Sequence, residues 1–143
     1  MAGIKQISIK IESVSGKLSF LSDVLGQEGV NIRAISVKMD SPDLSVIYIV
    51  VDDPKKAIYA LKLKGLECET SDVLAVEVPD HPGGLNAVLR PLKDANINVI
   101  TMYPYIGRAS KPIIVMEVDK LDDAARILER NWVKIWGEEV YRL

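Results

Sequence analysis

The sequence predicts an α+β chain of two tandem βαββαβ units, each an antiparallel sheet with its helices on one face. Three observations predict it. The chain aligns with itself, without a gap, at an offset of 67 residues. Each half alternates runs of period two with runs at helical spacing. The 143 residues are 48% hydrophobic and 27% charged, enough for one ordinary domain or two small ones and too few for a large multidomain enzyme.

The offset brings like residues together in strands, turns and helices alike. Gly16 meets Gly83, Leu18 meets Leu85, and Leu25 meets Leu92. Val30-Asn31-Ile32 meets Ile97-Asn98-Val99, and Val51-Asp52 meets Val118-Asp119. Ile47, Ala57 and Leu61 meet Ile114, Ala124 and Leu128. A single match is noise, whereas one offset held through every kind of element is a duplication. The halves are residues 1–71 and 72–143.

In the first half Ile7, Ile9 and Ile11 alternate with Ser8, Lys10 and Glu12, a half-buried strand. Leu18, Leu21, Val24 and Leu25 then fall at helical spacing, and Gly29 stops that helix. Asn31 opens a strand with Ile35, Val37 and Met39 on one face. Asp40-Ser41-Pro42-Asp43 is turn chemistry, and Val46–Val51 is a continuous apolar strand. Asp53-Pro54 starts a helix that buries Ala57, Ile58 and Leu61, and Leu66–Thr70 closes the unit.

The second half repeats the order. Leu74, Val76 and Val78 form a strand, and Leu85, Val88, Leu89 and Leu92 a helix face. Val99–Tyr105 and Pro112–Val118 form a hairpin around 107–111. Residues 122–130 are helical, and 133–141 contain the last strand. Pro91 interrupts the third helix pattern, so a kink or a later helix start is expected. Val46–Val51 and Ile113–Met116 are apolar on both faces, as strands buried on both sides are. The face away from the helices therefore needs cover, most simply from a second copy of the chain, and a homodimer is expected.

Composition excludes several function classes. Eighteen basic and twenty acidic residues give a net charge of −2, which supplies no general attraction to nucleic acid. The longest apolar run is about six residues, too short to span a membrane. Met-Ala-Gly-Ile-Lys leads straight into strand pattern, so no signal peptide and a cytoplasmic location are expected. The lone Cys68 excludes an internal disulfide and a multi-cysteine metal site. No metal and no cofactor are expected. With one histidine, one cysteine and no phosphate-binding Gly-Lys-Ser/Thr loop, the chain is not expected to be an enzyme.

One segment has the chemistry of a small-molecule site. Asp80-His81-Pro82-Gly83-Gly84-Leu85 lies between a strand and a helix, and Ala95-Asn96-Ile97-Asn98-Val99 follows that helix. Free amides and the positive dipole end at a helix start favour a carboxylate, and glycines let a ligand approach the backbone. Asp80 supplies the opposite charge nearby, and a zwitterion needs both signs. A strand ending in Asp-x-Pro-Gly-x-Leu, a helix, and a small-residue turn into Asn-Ile or Asn-Val resembles an ACT domain. Gly16-Lys17-Leu18 and Gly29-Val30-Asn31-Ile32 carry the same frame in the first half. Nearly the whole chain resembles a stand-alone pair of ferredoxin-like ACT units.

The resemblance implies a non-catalytic regulatory module that binds an amino acid at the interface of its two halves. It implies that Asp80 faces the ligand's ammonium group and that the amides of Gly83, Gly84 and Leu85 face its carboxylate. Asn31 would contact the ligand from the other half, with Asn98 in that part for the mirror site. A regulated enzyme acting in trans is a partner that fits. The first loop departs from the pattern, because Ser13 and Ser15 stand where the aspartate and proline would be. One good site is therefore expected, with Ser13 as an uncharged acceptor in a weaker one.

Structural readings of the same residues stand beside these. Asp80 and Gly83 also suit an ordinary turn and helix start. His81 also suits an exposed loop, Asn31 and Asn98 also suit strained backbone after a helix, and Tyr103 and Tyr105 suit either a ligand pocket or sheet packing. The alternative function is a dimerising protein-interaction scaffold with a vestigial pocket.

Overall fold

The computed structural model describes residues 3–143. Two compact units divide it: Lys5–Ser71, and Asp72–Leu143 together with Gly3 and Ile4. The elements run β1 (Ile4–Glu12), α1 (Lys17–Gln27), β2 (Ile32–Ser41), β3 (Leu44–Val51), α2 (Pro54–Leu63) and β4 (Cys68–Glu77). Then come α3 (Asn86–Asp94), β5 (Val99–Pro104), β6 (Ile113–Val118), α4 (Leu121–Arg130), β7 (Ile135–Trp136) and a 3₁₀ turn (Glu138–Arg142). The α+β class and the antiparallel sheets with four helices are as the periodicity predicts. None of the helices is long and apolar enough to cross a membrane.

In the first unit the strands lie in the order β2–β3–β1–β4. Ile7 pairs with Ile49 and Ile9 with Ile47, so these side chains share one face. That face meets Leu21, Val24 and Leu25 of α1 and Ala57, Ala60 and Leu61 of α2 in one core. Asp53 caps α2 by accepting from the Lys56 amide at 3.2 Å, and Pro54 takes the first helical position.

The second unit repeats this with β4–β6–β5, and β7 also pairs with β4. Leu74, Val76, Met116 and Val118 pack on Val88 and Leu92 of α3 and Ala124 and Leu128 of α4. The two strand runs expected on either side of residue 71 are a single strand, β4. Between Leu66 and Val78 no glycine or proline interrupts the extended backbone.

Three further features bear on the sequence reading. The last strand is only two residues long, because the chain turns at Gly137, whose amide donates to Glu139 Oε1 at 3.1 Å. The 3₁₀ turn that follows buries Val140 completely, and its carbonyl accepts from the Tyr105 hydroxyl. Tyr105, at 8% exposed, and Tyr103, at 4%, therefore take the sheet-packing reading, and Tyr105 also borders a groove of about 260 Å³ with Gly107 and residues 109–113. The chain's own C-terminal turn thus packs against Tyr105. Finally, α3 starts at Asn86, and Pro91 stays within it. Pro91 has no amide to bond the Ala87 carbonyl, so the short helix loses that bond.

All four helices end in the same way. The residue after the C-cap is left-handed and donates three residues back, and the next amide donates five residues back, from Val30 to Leu25, Leu66 to Leu61, Ile97 to Leu92 and Val133 to Leu128. The left-handed residues are Gly29, Gly65, Asn96 and Trp132, and the repeat pairs Gly29 with Asn96 and Gly65 with Trp132. Asparagine tolerates this conformation, but tryptophan does not. Trp132 is also 95% exposed and gains little from packing. Trp132→Gly is expected to stabilise the chain by about 0.5–1 kcal/mol. Relief of roughly 1–2 kcal/mol of strain outweighs about 0.5–1 kcal/mol of added backbone entropy. Urea unfolding checks it; an unchanged or lower midpoint would show that Trp132 makes a compensating contact.

Candidate functional site

The segment Asp80–Leu85 forms one exposed turn between β4 and α3. Gly83 has a φ of +81° and open space around its Cα, so glycine is there for its backbone. Gly84 is buried for another reason: a Cβ would lie 1.9 Å from the Pro79 carbonyl oxygen. The Gly84 amide donates to the His81 carbonyl at 2.8 Å. The loop therefore does not offer three free amides, since Gly84 spends its own on the turn. The amides of Gly83 and Leu85 have no hydrogen-bond acceptor among the described residues.

The charged members of the turn are open. The Asp80 side chain is exposed and has no hydrogen bond or ion pair among the described residues. His81 Nδ1–H donates to the Pro82 carbonyl at 3.0 Å, which leaves Nε2 as an acceptor toward solvent. Beside the turn, a groove of about 290 Å³ is lined by Gly83, Asn86, Ala87, Arg90, Pro91 and Asn131. Within this unit an unpaired carboxylate, two unpaired amides and an arginine-lined groove thus lie along one segment. Such a turn can meet a zwitterion with both signs of charge.

Asn31 and Asn98 occupy equivalent positions, each just before a strand. The Asn31 amide donates to Asp52 Oδ1 at 2.9 Å, and the Asp52 amide donates back to the Asn31 carbonyl at 3.1 Å. Asn98 and Asp119 make the same clasp at 3.0 and 3.1 Å. Both clasps use asparagine backbone, so the two exposed side-chain amides stay available. Asp52 and Asp119 were missed as positioning residues. The repeat held the signal, since both aspartates follow the matched valines of Val51-Asp52 and Val118-Asp119.

The first unit's loop is built differently. The Ser13 amide donates to the Asp43 carbonyl at 3.0 Å, and its hydroxyl lies 2.7 Å from the Ser45 hydroxyl on β3. Lys17 Nζ lies 3.9 Å from Glu12 Oε1 across the same loop. Ser13 is therefore engaged with its own sheet. Among the described residues no three His, Cys, Asp or Glu side chains converge as a metal site would need.

Residues 2–141 match the family model described as an ACT domain pair. A crystal structure of a Bacteroides thetaiotaomicron protein is 27% identical, with a TM-score of 0.91, over 99% of this chain and 98% of that one. The ligand-free regulatory subunit of aspartate kinase from Thermus thermophilus is 14% identical, with a TM-score of 0.66, over 92% of this chain and 94% of that one. Aspartate kinase from Clostridium acetobutylicum is 18% identical, with a TM-score of 0.54, over 90% of this chain but 32% of that one. The last two likenesses are of fold. No curated protein matches the sequence.

Proposed function

This chain belongs to the ACT domain pair family, and on that premise we propose that it is a non-catalytic regulatory module that binds a free amino acid. The observation that carries the reading is the turn after β4. Asp80 presents an unpaired carboxylate there, beside the unpaired amides of Gly83 and Leu85. In this reading Asp80 takes the ligand's ammonium group, His81 Nε2 also accepts from that ammonium, and those two amides take the ligand's carboxylate. Gly84 shapes the turn. Asn31 contacts this ligand through the side chain its backbone clasp leaves available, and Asn98 has that part in the weaker mirror site. Ser13 contributes little, because Ser45 holds its hydroxyl. The module passes its occupancy to an enzyme in trans or through its own assembly, and it works in the cytoplasm.

Edge strands supply the surface for a homodimer. Ile35, Val37 and Met39 share one face of β2 and are exposed, Met39 to 63%. Ile100 and Met102 are exposed on β5. Such apolar rows on open edges invite pairing. The same rows favour the second reading, a dimerising scaffold whose pocket has decayed.

A thermal-shift screen of the twenty amino acids and their 2-oxo acids separates the two. A ligand at a hundred times its Kd adds ~2.7 kcal/mol and is expected to raise the midpoint by roughly 5–11 °C. The shift is expected to vanish in Asp80→Ala and persist in Ser13→Ala. Loss in Asn31→Ala as well would bring the first unit's asparagine into the site. No shift with any candidate at saturating concentration would favour the scaffold.

A further inference from the structure

We propose that the first unit carries a separate cleft for a small aromatic zwitterion, running from the outer sheet face at Tyr48 round to the end of α2 at Lys62. This goes beyond the reading of the turn after β4 and does not rest on it. The strand registers arrange that face in rows. Gln6, Val50 and Ala34 are buried, whereas Ser8, Tyr48 and Ser36 are half-buried. Tyr48 pairs with Ser8 on β1 and with Ser36 on β2, and Val46 pairs with Lys10 and Lys38. Tyr48 is thus an aromatic ring amid serines and lysines, neither part of the helix-side core nor fully exposed.

The cleft opens over Tyr48 and Val46, with a volume of about 610 Å³, in the range of small-molecule sites. Its far wall is the turn from α2 into β4. Gly65, left-handed at +72°, reverses the chain there, and Leu66 and Glu67 follow it along the cleft. The Ser8 hydroxyl donates to the Glu69 carbonyl at 3.5 Å and ties β1 to the start of β4.

The charges around the cleft select the ligand. Lys10 and Lys62 line it with Glu67 and Glu69. None of the four is in an ion pair among the described residues. A simple anion would satisfy the lysines but face two carboxylates, and a simple cation would meet the reverse. A molecule with both a carboxylate and an ammonium group satisfies both pairs. Its ring then rests on Tyr48 and Val46, where stacking and apolar contact add affinity. Cys68 lies in the same lining. Burial raises its thiol pKa more than nearby Lys62 lowers it, so it stays protonated and does not compete for the ammonium group.

Backbone amide NMR of the full chain tests this with three probes: L-phenylalanine, 3-phenylpropionate and 2-phenylethylamine. Phenylalanine is expected to shift the amides of Ser8, Lys10, Tyr48 and residues 65–69. Each single-charge probe is expected to bind there about tenfold more weakly or worse. Lys62→Glu, at an exposed position, is expected to weaken phenylalanine by a similar factor, whereas Asp80→Ala leaves these shifts intact. Shifts confined to residues 80–85 would overturn the cleft and leave the turn reading standing. No shift at residues 65–69 at saturation, or equal binding of all three probes, would overturn the cleft proposal whatever happens at Asp80.

Discussion

Replacing Gly84 by alanine is expected to cost about 3 kcal/mol, the upper end for an overpacked site. The added Cβ would sit 1.9 Å from the Pro79 carbonyl oxygen, 2.9 Å from the Pro79 carbonyl carbon and 3.0 Å from the His81 carbonyl oxygen. All three are backbone atoms of the turn that presents Asp80, so no side-chain rotation relieves the clash. The turn must open, which also breaks the bond from the Gly84 amide to His81. Gly83→Ala is the control. Nothing lies near its Cβ position, so only the left-handed backbone opposes it, at roughly 1–2 kcal/mol. Urea denaturation measures both. If Gly84→Ala cost no more than Gly83→Ala, the close approach to Pro79 would be wrong. Ligand binding is expected to fall with Gly84→Ala, because the same turn carries Asp80 and the Gly83 and Leu85 amides.

Leu25→Ala and Leu92→Ala are expected to cost similar amounts, about 2–5 kcal/mol each. The repeat aligns these leucines, and each is at most 1% exposed in the helix–sheet core of its own unit. Truncation removes the apolar contact and leaves a cavity that the core closes only in part. Calorimetry adds a second readout. If each unit unfolds on its own core, Leu25→Ala lowers a transition belonging to Lys5–Ser71, and Leu92→Ala lowers the other. One transition that moves equally in both variants would mean that the units unfold as one. A cost below about 1 kcal/mol at either leucine would contradict its burial.

Local patterns carried most of the fold. Ile7, Ile9 and Ile11 announce a strand because a half-buried strand must alternate. Asp53-Pro54 announces a helix because a cap and a fixed φ belong at its start. The final strand lies within 133–141 as expected, but its end at Trp136 was not legible, because the bend at Gly137 depends on a carboxylate two residues on. The site was legible in part. Asp80 and Gly83 stood out by residue type and spacing, but the use of the Gly84 amide was not visible, since it depends on where the His81 carbonyl points. The cleft over Tyr48 left no trace, because its wall at residues 65–69 and its floor on β1 and β3 are far apart in sequence.

The sequence by itself determined the duplication, the order of elements, which strand faces carry the core, and that one turn combines an aspartate with glycines. Those follow from periodicity, turn chemistry and a single offset, all properties of neighbouring residues. Only the tertiary structure decided which amides stay unpaired, that Ser45 holds Ser13, that Asp52 and Asp119 clasp the asparagines, and that Val140 covers Tyr105. The last three depend on partners at least 21 residues away, the first on how one turn folds, and a hydrogen bond is decided by where both its ends lie in space.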